Sequence, residues 1–184
     1  FSSRRRHTRY GTVTGVQTCA LPISGGLVPL SAHAITPEVA EAHNLLTDSL
    51  VRRGITLYAD APACQTYPEL EGYYNGSERA LVLCNDGSLQ MTEENLDTLR
   101  HETVHFIQDC ADGAIDNTLR TVLQPGKAEE LLEAAGLSAQ HIEQAYVDLG
   151  KASHVPLEKE AFAVAATMDA GTINTALNIF CPVR

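Results

Sequence analysis

The stretch His101-Glu102-Thr103-Val104-His105 carries the strongest chemical pattern in this chain of 184 residues. Residues four apart on an α-helix project from the same side, so both imidazoles can reach one metal ion. Glu102 lies between them, where it can take a proton from water at the position that a catalytic zinc leaves open. The motif therefore predicts a helix that binds Zn²⁺ through His101 and His105, with Glu102 as the general base.

The residues around this motif predict the helix itself. Thr92 is a favourable N-cap, and two acidic residues follow it at the positive end of the helix dipole. Apolar side chains then recur at helical spacing: Leu96, Leu99, Phe106, Ile107 and Cys110. The histidines fall opposite this stripe, and Asp112-Gly113 is a suitable end. We therefore expect a helix that buries one side and presents the histidines on the other; the alternative is a solvated helix with incidental histidines.

A third metal ligand must come from another part of the chain, because a catalytic zinc has three protein ligands. The segment 156–166 predicts a second helix with one apolar face, and its alanines would let that helix approach the first closely. Glu158 and Glu160 flank this face on opposite sides, each about 80° from its centre. Helical periodicity therefore does not choose between the two carboxylates.

These two motifs resemble those of the gluzincin metallopeptidases, in which a glutamate on a later helix joins H-E-x-x-H. Glu160-Ala161-Phe162-Ala163 is similar to their ligand pattern, a glutamate followed by a small residue, an aromatic residue and alanine. The resemblance implies that Glu160 is the third zinc ligand, with Glu158 as the alternative. It also implies hydrolysis of peptide bonds by a metal-activated water, and therefore a peptide or protein substrate.

Two further roles known in gluzincins are not assigned by the resemblance. Some members carry an aspartate four residues after the ligand, where it orients a histidine, but Val164 stands at that position here. Asp97 and Asp109, one turn from the histidines, are candidates for this role. The residue that stabilises the oxyanion is open among three side chains: Tyr146, His141 and His154.

Charge limits the classes of partner. The chain has 13 basic and 23 acidic residues, for a net charge of −10 at pH 7. Residues 1–24 hold four of the basic residues and no acidic one, so the remainder carries 9 against 23, or −14. This balance argues against nucleic acid and anionic membranes as partners. No apolar run is long enough to predict a membrane span.

The first 34 residues are predicted to lie outside the folded domain. Residues 1–24, with Arg4-Arg5-Arg6, resemble translated sequencing adapter, an artefact; a basic arm is the alternative. Residues 25–34 end in Ala32-His33-Ala34, which is typical of a signal-peptide cleavage site, or else form a loop. We therefore expect one domain over 35–184, in a secreted or periplasmic protein.

The cysteines favour the same compartment. Four lie beyond residue 34, namely Cys64, Cys84, Cys110 and Cys181. An even number in a small exported domain suggests two disulfides, with three possible connectivities. One of these would pair Cys64 with Cys84 and Cys110 with Cys181; four reduced thiols are the alternative.

The order of predicted elements indicates the fold class. A helix over 36–53 is followed by strands at 55–58 and 79–84, with a possible strand at 72–74 and a turn at Asn75-Gly76. The histidine helix, helices near 127–136 and 138–152, and the helix of Glu160 complete the chain. We therefore expect an α+β fold, a mainly helical zincin-like domain with a small antiparallel sheet packed on the histidine helix.

Two non-catalytic functions compete with the hydrolase. The first is a binding domain in which zinc, closed by a fourth ligand such as His154 or Glu158, only braces the helices. The second is a disulfide-stapled extracellular binding module without a metal. The oligomeric state is left open by the sequence.

Overall fold

The structure is a computed structural model, and it describes residues 17–20, 36–84 and 92–183. These ranges form a mainly helical α+β structure with one small sheet. The strands are β1 Gln17–Ala20, β2 Thr56–Ala59, β3 Gly72–Asn75 and β4 Ala80–Leu83. The helices are α1 Pro37–Val51, α2 Pro62–Thr66, α3 Glu93–Cys110, α4 Lys127–Ala134, α5 Ala139–Asp148, α6 Val155–Thr167 and α7 Ala170–Phe180, with a 3₁₀ turn at Ala152–His154.

The sheet has the order β1-β3-β4-β2 and is mixed. β3 and β4 form an antiparallel hairpin across the predicted turn at Asn75-Gly76, whereas β2 pairs with β4 in parallel. The expectation of an antiparallel sheet was therefore wrong for β2. β2 and β3 flank β4, and the chain reverses direction once through the α2 segment and again between β3 and β4, which leaves β2 parallel to β4.

β1 belongs to the segment that was predicted to lie outside the fold. Gln17–Ala20 pairs antiparallel with β3, and the interpretation of residues 1–24 as an artefact stays a prediction. A sheet edge offers unpaired backbone groups that an extended segment of any sequence can satisfy, so this pairing does not identify the origin of the segment. The predicted signal remnant at 25–34 lies outside the described residues.

α3 runs through the centre of the molecule. Its N-cap is the predicted one, since Thr92 Oγ1 accepts a hydrogen bond from the Asn95 backbone N–H at 3.1 Å. The apolar stripe joins the main core, but 14 of the 18 residues of the helix are buried. The expected open histidine side is thus covered. α6 packs on it, and the His101 and Phe162 rings lie 4.5 Å apart between their centroids.

Two apolar clusters hold the helices together. The larger cluster joins α1, α3, α6, α7 and one face of the sheet, and the smaller one joins α4, α5 and another part of α6. α7 was not predicted; Asp169 caps it by accepting from the Thr172 N–H, and Ile173 and Leu177 bury one of its sides. Three of the four alanines of α6, Ala161, Ala163 and Ala165, are buried, which allows its backbone to lie close to α3.

The cysteines occur in the pairs that close two separate parts of the fold. Cys64 pairs with Cys84, and Cys110 at the end of α3 pairs with Cys181 after α7. The Cα atoms of these pairs are 5.2 and 5.4 Å apart. This pairing favours an oxidising compartment. Among the described helices, none has both the length and the apolar character required to cross a bilayer.

Candidate metal centre

α3 brings the two histidines together. Being four residues apart on the helix, they direct their rings to one point, with the Nε2 atoms 3.1 Å apart. Both side chains are almost completely buried, at 2% and 0% exposure for His101 and His105. The spacing predicted this pair, and the structure forms it.

α6 completes the group with Glu158. One carboxylate oxygen lies 3.3 Å from Nε2 of His101 and 3.5 Å from Nε2 of His105. Apart from these contacts, neither oxygen of Glu158 has a hydrogen-bond partner among the described residues, although the side chain is fully buried. One ligand atom from each residue lies within 4.8 Å of the others, so the group can hold a metal ion. Two imidazoles and one carboxylate are a donor set that suits Zn²⁺.

Glu160 does not belong to this group, so its assignment as the third ligand is corrected. Its carboxylate instead accepts from the backbone N–H of Val122 at 2.9 Å and of Leu123 at 2.7 Å, and from Gln108 Nε2 at 3.0 Å. Positions two apart on a helix are separated by about 200° around its axis, so only one of the two glutamates can face the histidines. The alternative, Glu158, is the one that does.

Gln108 is the histidine partner that the sequence analysis missed. Its Oε1 atom is 2.7 Å from Nδ1 of His105. Of the two aspartates proposed for this role, Asp97 pairs with Arg100, and Asp109 accepts from the Tyr74 hydroxyl at 2.7 Å. The available signal was position, because Gln108 lies one turn after His105 and therefore on the same side of α3.

Burial and mutual charge act in opposite directions on the pKa values of the group. Burial lowers the pKa of His105, but the charge of Glu158 and its hydrogen bond outweigh this and raise the pKa to about 9. Burial raises the pKa of Glu158, but the two histidines together lower it to about 2. For His101, burial prevails and its pKa is lowered. The directions of these shifts favour an ion pair between a protonated His105 and an ionised Glu158 in the metal-free group.

Glu102 is fully buried where α3 approaches the start of β3. Its charge raises the pKa of His105, which places it next to the metal-binding group. Gly72 makes this close approach possible. A Cβ at that position would lie 2.6 Å from the Thr98 methyl, 2.7 Å from the Val82 carbonyl oxygen and 3.6 Å from Glu102 Cγ.

The three candidates for an oxyanion-stabilising residue differ in position. His141 is exposed on α5, and Tyr146 is buried in the cluster between α4, α5 and α6. His154 is half-buried just before α6; burial lowers its pKa, and the charges of Glu158 and His105 also act on it. His154 is therefore the candidate that neighbours the metal-binding group.

A cleft of about 190 Å³ opens beside His101. Its wall is apolar on the side of α6, with Phe162 and two alanines, and acidic on the opposite side, with Glu71 and Asp97. Burial and the charges of Glu94 and Asp97 raise the pKa of Glu71. The cleft thus joins an apolar surface to a carboxylate that a cationic group would stabilise.

No family model, no curated protein and no solved structure matches this chain.

Proposed function

We propose that the protein is a zinc metallopeptidase in which His101, His105 and Glu158 hold the metal ion. The observation that carries the proposal is the convergence of these three buried side chains from two helices, with Glu102 beside them. When bound, Zn²⁺ would polarise the scissile carbonyl and acidify the attacking water. Three protein ligands leave a fourth coordination position for this chemistry, as in other catalytic zinc sites.

Glu102 is the general base of the proposed reaction. It takes a proton from the attacking water and passes one to the leaving amine. The burial of Glu102 supports this role, because a carboxylate that is removed from solvent does not have to lose bound water before it accepts a proton. His154 is the residue we assign to the oxyanion, because the charges of the metal-binding group already act on it.

The cleft beside His101 supports a peptide as the substrate. Its apolar wall can bury a side chain, while Glu71 on its rim favours a cationic one. The strongly negative charge of the chain acts in the same direction over longer distances. The two disulfides support the proposal that the peptidase is exported.

Replacing Glu102 with Gln tests the mechanism directly. We expect Glu102→Gln to abolish cleavage of a mixed peptide library while one equivalent of zinc remains bound. The matched control is Glu93→Gln, which makes the same change at an exposed position of α3 and should cleave like the parent chain. Full activity in Glu102→Gln would refute the mechanism.

Replacing His154 with Ala distinguishes a peptidase from a binding domain in which zinc only stabilises the helices. In the peptidase, His154→Ala lowers kcat and leaves zinc affinity within a few-fold of the parent chain. In a closed structural site His154 is a fourth ligand, so the same variant loses zinc. Zinc content and peptide cleavage measured on one sample of this variant distinguish the two functions.

A further inference from the structure

Gln108 lies between the metal-binding group and Glu160. Its Oε1 atom faces Nδ1 of His105 at 2.7 Å, while its Nε2 atom lies 3.0 Å from the Leu157 carbonyl oxygen and 3.0 Å from Glu160 Oε1. Both Gln108 and Glu160 are buried. The two side chains therefore form a continuous path from the loop at 121–123 to the histidine.

The direction of each hydrogen bond along this path is determined by the backbone. The N–H groups of Val122 and Leu123 can only donate, and Glu160 accepts both. Because the Glu160 carboxylate also accepts from Gln108, the amide of Gln108 must direct its NH₂ group to Glu160. The Leu157 carbonyl requires the same orientation, since it too can only accept.

The orientation of Gln108 determines which ring nitrogen of a neutral His105 carries the hydrogen. The amide oxygen that faces Nδ1 can only accept, so Nδ1 must carry a hydrogen. In a neutral imidazole this leaves the lone pair on Nε2, the atom that lies next to His101 and Glu158. We infer that Glu160 is a positioning residue: through Gln108, it holds His105 in the tautomer whose Nε2 can bind the metal.

This inference depends on the metal site of the proposed function and not on the hydrolysis. It also gives Glu160 a role other than that of a ligand. Hydrogen-bond partners of metal-binding histidines typically change metal affinity by about 10- to 100-fold when they are removed.

The substitution Glu160→Gln tests the inference, because it keeps the shape and changes the donors. If the NH₂ group of the new glutamine faced Gln108, two donors would oppose each other. The Gln108 amide would then have to rotate and direct its own NH₂ group to His105. If the NH₂ group of the new glutamine faced the loop, it would oppose the N–H groups of Val122 and Leu123. The first arrangement moves the His105 hydrogen to Nε2, and the second breaks the anchor of the path.

We expect Glu160→Gln to bind zinc about 10- to 100-fold more weakly in a competition titration with a chromophoric chelator. The control is Glu143→Gln, which removes an equal charge from an exposed side chain bonded to Lys159 and should change affinity less than about twofold. In ¹⁵N spectra of the zinc-loaded parent chain, His105 should show a protonated Nδ1 and a metal-bound Nε2.

Gln108→Met serves where Glu160→Gln does not fold, because it removes the acceptor for His105 and leaves Glu160 bonded to the loop. Zinc affinity equal to that of the parent chain in either folded variant overturns the inference, as does binding of zinc through Nδ1 of His105. A parent chain that binds no zinc refutes the proposed metal site as well. A chain that binds zinc in this manner but cleaves no peptide refutes only the hydrolase.

Discussion

The charge pair between His105 and Glu158 should make the stability of the metal-free protein depend on pH. The pKa of His105 is raised from 6.5 to about 9, so its stabilising effect is complete below pH 6.5. Between pH 6.5 and 9 the folded state holds one proton more than the unfolded state, and the free energy of unfolding falls by about 1.4 kcal/mol per pH unit. The expected total loss is about 3 kcal/mol, complete near pH 9.

The pair of His105 and Glu158 also affects the stability of the metal-free protein at acidic pH. The pKa of Glu158 is lowered from 4.5 to about 2, so its effect is present above pH 4.5 and is lost as the pH falls towards 2. The two shifts describe one interaction and are not added. The contribution of the pair is therefore greatest between about pH 4.5 and 6.5.

Urea unfolding of chelator-dialysed protein between pH 4 and 9.5 measures this effect. Glu158→Gln is the comparison, because it removes the charge that raises the pKa of His105. We expect the parent chain to lose about 3 kcal/mol relative to this variant between pH 6.5 and 9. Parallel profiles of the two proteins would show that His105 and Glu158 do not form the buried ion pair described here.

Three other variants test how the fold supports the centre. Gly72→Ala would introduce a methyl group where β3 meets α3, and should cost about 1–3 kcal/mol in urea unfolding and reduce peptide cleavage through displacement of α3. Tyr74→Phe removes a buried hydroxyl donor from Asp109 and should cost about 1–3 kcal/mol in the same assay. Replacing Cys110 and Cys181 with Ala removes a disulfide that links positions 71 residues apart. The free energy of unfolding should fall by about 2–5 kcal/mol relative to the parent chain, with both proteins measured without a reducing agent.

The sequence predicted the local parts of the centre well. The four-residue spacing of His101 and His105 is a property of a single helix, and Thr92 with the apolar stripe located that helix to within a residue at its start. The alanines of α6 correctly indicated its close approach to α3. These features depend on one element or on the small size of a side chain, so pattern alone could predict them.

The choice between Glu158 and Glu160 could not be made from periodicity. Both residues flank the apolar face of α6, and the rotation of α6 relative to α3 is set by tertiary packing. The resemblance favoured Glu160 because of the small and aromatic residues after it. In the structure those residues serve packing, and Glu160 instead bonds to the loop before α4, which no local pattern predicts.

The pairing of the strands was also only partly predictable from the sequence. Turn residues predicted the hairpin of β3 and β4, since Asn75-Gly76 connects strands that are adjacent in sequence. The parallel pairing of β2 with β4 and the addition of β1 depend on contacts between distant segments. Strand direction across such connections is not encoded in the residues of either strand.

The most direct test of the account is a zinc-edge anomalous difference map from crystals of the zinc-loaded protein. We predict one peak about 2.0–2.2 Å from Nε2 of His101, Nε2 of His105 and a carboxylate oxygen of Glu158. Glu160 should remain bonded to the backbone of 122–123. Absence of a peak at the two histidines, or a zinc ion bound by Glu160 in place of Glu158, would contradict the account.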